Sequence, residues 1–230
     1  KLLDKHGADA VRMAMMFAAP PEHSFEWSEH GVESAERWLR TRLWNSVAAH
    51  LADGSVPELD ASALNDDQRA IRRTTHETIA KATDDYGRRL TFNTVISSVM
   101  SLMNEVSRFD DQSDQGRAVR HEALSAAVLL MSPITPHIAH ALWPRLTGEQ
   151  LEDAAWLRHD DAALVRDSVE VAVQVNGKLR GRVEVTVDAS EDQVGDAAKA
   201  NENVAKFLEG KQIRKVIHVP NKLMNFVVAG

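Results

Sequence analysis

The sequence predicts a multidomain chain with two structural classes in series, an all-α helical bundle followed by a small α+β domain of element order ββααββ. Three observations carry this. Apolar residues recur at three- and four-residue spacing through residues 1–157, strict alternation begins at VEVAVQV near residue 169, and the charge balance changes at the same place. Lys and Arg number 18 against 26 Asp and Glu over residues 1–167, but 9 against 8 over 168–230. With 230 residues, 43% apolar and 27% charged, the chain has core enough for two ordinary domains. The absence of cysteine excludes a disulfide framework, a thiolate zinc site and a cysteine nucleophile, and fits a reducing cytoplasm. No apolar run reaches the roughly 20 residues that span a bilayer, so no membrane partner is expected.

The opening KLLDKHGADAVRMAMM has no initiator Met and reads as part of a longer protein. After Gly7, ADAVRMAMMFAA predicts a short apolar helix stopped by Pro20 and Pro21. A second helix runs from near Ser28 to about Leu51, with Val32, Ala35, Leu39, Leu43, Val47 and Leu51 on its inner stripe. Asn65, Asp66, Asp67 and Gln68 form a capping-box start for a third helix ending near Tyr86-Gly87. Phe92, Val95, Ile96, Val99, Met103 and Val106 mark a fourth. After the polar loop DDQSDQG, Leu124, Ala127, Val128 and Met131 mark a fifth. SPITPHIAHALW breaks at Pro133 and restarts with Thr135 as cap and Pro136 at the first helical position, closing the bundle.

Residues 158–168, around HDDAALVRDS, read as a linker to the domain at 169–230. VEVAVQV and LRGRVEVTV are half-buried strands about Asn176-Gly177. Ser190 with Gln193 opens one helix, Asn201 caps a second that Gly210 stops, and IRKVIHV and LMNFVV flank the turn PNK.

Hairpin parity sharpens the expectation. A two-residue Asn-Gly loop would put Val175 opposite Lys178 and mix valines with cations on one face, whereas a three-residue loop aligns Val173 with Leu179 and Val169 with Val183. The expected loop is therefore of odd length, with Lys178, Arg180 and Arg182 sharing one exposed face and no acid before Glu184 to neutralise them. Lys211, Arg214, Lys215 and Lys222 add cations near strand ends, a pattern suited either to a solvated surface or to a phosphate backbone.

These residues resemble a known family. SPITPHIAHALW resembles the segment closing the helical anticodon-binding domain of class I aminoacyl-tRNA synthetases of the leucine, isoleucine and valine group. GADAVRMAMMFAAPPEHSFEWSEHGVESAERWLRTRLWN is similar to their stem-contact region. VAVQVNGKLRGRVEV and IRKVIHVPNKLMNFVV are similar to the C-terminal domain of the bacterial leucyl members. The isoleucyl type would end in a cysteine-bearing zinc module and the valyl type in a helical coiled coil.

The resemblance implies a stem-contact segment at 1–30, the helical domain at 31–157 and a tRNA-binding tail. It implies a parent that uses ATP with Mg to leucylate tRNA(Leu), and that acts as a monomer in the cytoplasm. No HIGH-like or KMSKS-like motif and no threonine-rich editing pocket occurs here, so no catalytic residue and no cofactor is expected in this chain, and its other partner is the catalytic domain of the same parent. On this reading tRNA contacts fall to Lys178, Arg180, Arg182, Lys211, Arg214, Lys215 and Lys222 in the tail. Arg37, Arg40 and Arg42 are stem-contact candidates, with salt bridges to acids such as Glu33 and Glu36 as the alternative.

Other candidates weigh less. His137 and His140 have a metal-ligand spacing but no third ligand at a motif distance, so no metal is expected; the family usually has Glu at the second of these positions. Trp38, Trp44, Trp143 and Trp156 could stack bases, but three sit in apolar helical surroundings and read as packing anchors. Met13, Met15 and Met16 read as packing against the bundle or the missing catalytic domain. The rival function is a protein-interaction module docking through its edge strands.

Overall fold

The computed structural model describes residues 2–18, 28–165 and 168–229, in two compact units, Lys1–Leu164 and Val165–Gly230. The expected stop at Pro20-Pro21 lies outside the described residues. Among the described residues no helix is long and apolar enough to cross a membrane.

In the first unit, α1 (Leu2–Ala18) is broken at Gly7, whose φ of 79° and ψ of 162° are non-helical. Its Met13 is buried in the bundle and its Met15 is exposed. α2 (Glu29–Trp38), capped by Ser28, passes through a π-helical turn (Leu39–Trp44) directly into α3 (Asn45–Ala52). The expected stripe holds, since Val32, Ala35, Leu39, Leu43 and Val47 are buried. Nothing in LRTRLW announces the wide turn, beside which Thr41 Oγ1 donates to the Arg37 carbonyl at 2.7 Å. α4 (Asp66–Asp84) starts on the full Asn65/Gln68 capping box and ends in a second π turn, Asp85–Arg89. α5 (Phe92–Arg108) and α6 (Asp114–Met131) bury Ile96, Leu102, Leu124 and Leu130 between them.

α7 (Pro136–Thr147) begins where expected, but Thr135 does not cap it. The Thr135 hydroxyl donates to the Met131 carbonyl, and the cap comes from α1. Asp9 accepts from the amides of Ile138 (2.8 Å) and His137 (3.4 Å) and from His137 Nδ1 (2.8 Å). A carboxylate at a helix N-terminus satisfies free amides and opposes the positive end of the dipole. The stretch expected as linker is only partly so. Asp160 accepts from Arg72 (2.8 Å) and its amide donates to His76 Nδ1 (3.1 Å), while α8 (Asp161–Leu164) lies against α4, so the first unit extends to Leu164.

One histidine pair, His50 buried and His121 half-buried, is expected to give the bundle a pH dependence. His50 on α3 lies 3.1 Å from His121 Nδ1 on α6. Burial first, then the charges of His121, Arg120 and Arg117, push the His50 imidazole down to about 4. The unfolded chain therefore takes up a proton that the folded chain refuses, so stability is full above about pH 6.5 and falls as pH drops toward 4. Discounted for the solvent that reaches the pair, the loss should be about 2 kcal/mol. Urea unfolding of wild type and His50→Gln across this window tests it: the variant should show the shallower pH slope, and equal slopes would sink the account.

The second unit has the expected order: β1 (Ser168–Val175), β2 (Lys178–Thr186), α9 (Glu191–Ala200), α10 (Glu202–Leu208), β3 (Ile213–Val219) and β4 (Leu223–Val228). The sheet runs β2-β1-β4-β3, with β1 and β4 parallel and the outer pairs antiparallel. Val171, Val173, Val183, Met224 and Phe226 face α9 and α10, whose Val194, Ala198 and Val204 complete a separate core.

The parity expectation for the hairpin is wrong. Val175 lies opposite Lys178, across a two-residue loop in which Asn176 and Gly177 have φ of 51° and 76°. Both central residues left-handed is the turn whose twist matches the strands, and Asn-Gly is the pair that tolerates it. What restores apolar pairing is a β-bulge at Arg180, between Leu179 opposite Gln174 and Gly181 opposite Val173. Beyond it Val171 meets Val183 and Val169 meets Val185.

Candidate nucleic-acid interface

The bulge also separates the three cations expected on one face. Arg182 points to the open side of the sheet and is not free of acid, because it donates to Glu170 on β1 at 2.6 Å. Arg180 is turned toward the helices, with its guanidinium 3.8 Å from the centre of the Phe207 ring on α10. Lys178, beside the turn, is exposed. The row of three is thus three different environments.

Sheet topology assembles a different cluster. β1 and β4 run parallel and end at Val175 and Val228, where β2 and β3 begin, with Ile213 opposite Val228. Hydrogen bonds tie that end together: Asn176 exchanges two with Val228, and the Gly177 amide donates to Asn225 Oδ1 at 3.1 Å. Lys178, Lys211, Arg214 and Lys215 therefore all lie at one end of the sheet. All four are exposed, and among the described residues none has a carboxylate within 4.0 Å. Arg214 is itself a bulge residue, since Ile213 pairs with Val228 and Lys215 with Val227. β2 and β3 are three strand spacings apart, about 14 Å. Lys222 does not belong to this cluster; it sits in the β3–β4 turn at the opposite end.

In the first unit Arg37 is exposed and, among the described residues, reaches only Ser34 on its own helix (3.5 Å). Arg40 lies 4.0 Å from Glu36, and Glu36 is held more closely by His6 Nδ1 at 2.6 Å; the His6 hydrogen bond keeps this carboxyl below its ordinary value. Glu33 is taken by Lys5 (3.3 Å) and His30 (3.9 Å). Arg42, on the π turn, is exposed with no acid partner among the described residues. Among the described residues the salt-bridge alternative thus holds for Arg40 and not for Arg37 or Arg42. Arg40 and Trp44 line a cavity of about 620 Å³ with Leu39, Ile138 and Ala141.

Sequence reasoning missed three arginines that lie over aromatic rings, Arg120 over Phe109 (5.5 Å), Arg145 over Trp44 (4.9 Å) and Arg180 over Phe207 (3.8 Å), because each pairs residues more than two helical turns apart in the chain. His137 and His140 serve different carboxylates, Asp9 at 2.8 Å and Glu152 at 3.5 Å, and among the described residues no group of three ligands could hold a metal. Trp143 is buried, while Trp156 is 39% exposed with its indole donating to Thr83 (3.0 Å).

Comparison with known proteins agrees with this architecture. The family model of the anticodon-binding domain of tRNA ligase matches residues 68–194. The leucine-tRNA ligase of Stenotrophomonas maltophilia strain K279a is 57% identical over 230 residues, covering 99% of this chain and 26% of that protein. That of Chromohalobacter salexigens is 57% identical over 227 residues, covering 98% and 26%, and that of Xanthomonas oryzae pv. oryzae strain PXO99A is 54% identical over 231 residues, covering 100% and 26%. The chain spans about a quarter of the length of the curated relatives it matches. Among solved structures, LeuRS of Agrobacterium radiobacter K84 in complex with tRNA and LeuAMS shares the fold, with a TM-score of 0.81 and 24% identity over 100% of this chain and 30% of that one. The methionyl-tRNA synthetase of Mycobacterium tuberculosis matches with a TM-score of 0.51 and 17% identity over 61% of this chain and 33% of that one.

Proposed function

This chain belongs to the family of anticodon-binding domains of tRNA ligases, and from that we propose that it holds tRNA(Leu) for a leucine-tRNA ligase. Leucine activation with ATP and Mg, and transfer to the tRNA, fall to a catalytic domain elsewhere in the same parent, which works as a monomer in the cytoplasm. The observation that carries the reading is the cationic end of the tail sheet, Lys178, Lys211, Arg214 and Lys215, none of which has a carboxylate partner among the described residues. Folded RNA is gripped by shape and backbone, which needs positioned cations rather than high net charge, so an acidic protein can do it. Lys222 and Arg182 have a lesser part, the one by its position at the far end and the other by its ion pair. Arg42 and Arg37 are the stem-contact candidates of the bundle.

Binding of a tRNA(Leu) transcript to the whole chain across a salt series tests this. Reversing Lys178, Arg214 and Lys215 together to Glu should weaken binding at least tenfold at low salt and flatten the log–log salt slope by about 2 to 3. Reversing Lys222 alone should do far less. Binding indifferent to salt and to the triple reversal would favour a protein-docking module instead.

A further inference from the structure

Among the described residues of the tail, Arg180 is set apart from the other cations. The bulge turns it off the open face and onto α10, where its guanidinium lies 3.8 Å from the Phe207 ring centre. Gly181 beside it carries no side chain for a close-packing reason: a Cβ there would come within 2.8 Å of Val204 and 3.1 Å of the Asn201 carboxamide oxygen. α10 is thereby drawn against β2, and Phe207 is carried under the arginine. The Arg180 Nε is buried with no hydrogen-bond partner, and among the described residues no carboxylate pairs with the guanidinium. One face and the inner edge of the fork are thus committed to the ring, yet the residue stays partly exposed beside Lys178, at the end of the sheet where the other unpaired cations gather.

We propose that Arg180 is a stacking platform for an unpaired nucleobase of the bound RNA, and not one more phosphate contact. A guanidinium held over an aromatic ring is pre-ordered, so a base laid on its outer face loses little further side-chain freedom. Such a plane accepts any base, because every base presents a π face, while the neighbouring cations supply the backbone attraction. Lysine cannot replace arginine here, since an ammonium has the charge but not the plane. The platform presupposes the tRNA-holding role proposed above.

Charge and plane are separated by Arg180→Lys and Arg180→Ala, measured on the whole chain with two probes. With a tRNA(Leu) transcript, Arg180→Lys should lose roughly 5- to 150-fold in affinity, the range base stacking supports, at every salt concentration and with the slope unchanged. With single-stranded oligo(A) and an abasic oligomer of equal length, wild type should prefer the base-bearing strand, and Arg180→Lys should abolish that preference. If Arg180→Lys binds tRNA(Leu) like wild type, or if Arg180→Ala flattens the slope by about 0.7 to 0.9 and lysine restores it, Arg180 is a phosphate contact and the platform is wrong. Absence of base preference in wild type also overturns it. Failure of wild type to bind tRNA(Leu), with the base preference intact, would instead count against the leucine-ligase role.

Discussion

Asp85→Ala is expected to destabilise the helical unit by about 2–3 kcal/mol, the upper part of the usual cost of stranding the donors of a buried hydrogen-bonded group. Asp85 is fully buried at the corner between α4 and α5. Its carboxylate accepts from Thr94 Oγ1 (2.6 Å), Thr91 Oγ1 (3.1 Å) and the Lys81 ammonium, with Arg89 at 3.7 Å. Burial alone would push this carboxyl up, but the Lys81 hydrogen bond and the two threonine hydroxyls outweigh it and hold it below its ordinary value. A group depressed in this way stabilises the fold above the unfolded aspartate range, and that contribution is lost as pH falls through the folded value. The same residue's carbonyl accepts from the Thr91 amide, and Leu90 between them is left-handed, so the corner has no alternative set of bonds ready. Next to it Tyr86 donates to the Leu130 carbonyl at 2.8 Å and packs on Phe92 and Trp156, which would loosen with it. Urea unfolding of the whole chain, followed by helical circular dichroism, gives the number. Asp85→Asn, which keeps the shape and drops the charge, should lie between wild type and alanine. A loss below about 1 kcal/mol for alanine would mean that the corner is held by packing alone.

What could be read in advance followed from how far apart the interacting residues are. The capping boxes at Asn65/Gln68 and Ser190/Gln193 form as expected because both halves lie three residues apart. The apolar stripes of α2, α5 and α6 were equally legible, since periodicity reports which face is covered whatever covers it. Asp9 on α7 and Arg180 on Phe207 were not, because each needs the tertiary fold to bring its partner near. The hairpin error is of another kind. Parity arguments assume an unbroken strand, and the sequence held two signals against that assumption: Asn176-Gly177 demands a two-residue loop, and Gly181 inside a strand marks a bulge. Taken together they yield the observed register. The cost of the assumption fell on the site, since register decides which cations share a surface; only the strand order could gather Lys178 with Lys211, Arg214 and Lys215.

Phe226→Ala should let the tail unfold at far lower denaturant while the bundle stands. Phe226 is 1% exposed and sits on β4 opposite Val175 and Val216, at the middle of a core it shares with Val171, Val173, Val183, Val194, Val204 and Met224. That core has no member in common with the bundle's. At about 0.05–0.15 kcal/mol per residue, a unit spanning Val165–Gly230 has some 3–10 kcal/mol in hand. Truncating a buried phenylalanine removes about 3–5 kcal/mol, all of that stability at the low end of the range and up to half of it at the high end, so the tail's transition moves to far lower denaturant. The helical unit is built on its own core, which shares no member with this one, and should keep its denaturation curve. In NMR spectra taken through a urea series, the strand amides of β1 to β4 should collapse into the unfolded region at low urea while those of α4 to α6 stay dispersed. With its tail unfolded, the same variant should lose tRNA affinity to about the level of the triple charge reversal, because the cationic end exists only while β1 and β4 lie side by side. A single cooperative transition, shifted for both units together, would show that the two cores are coupled and that neither the tail nor its surface is separable in this way.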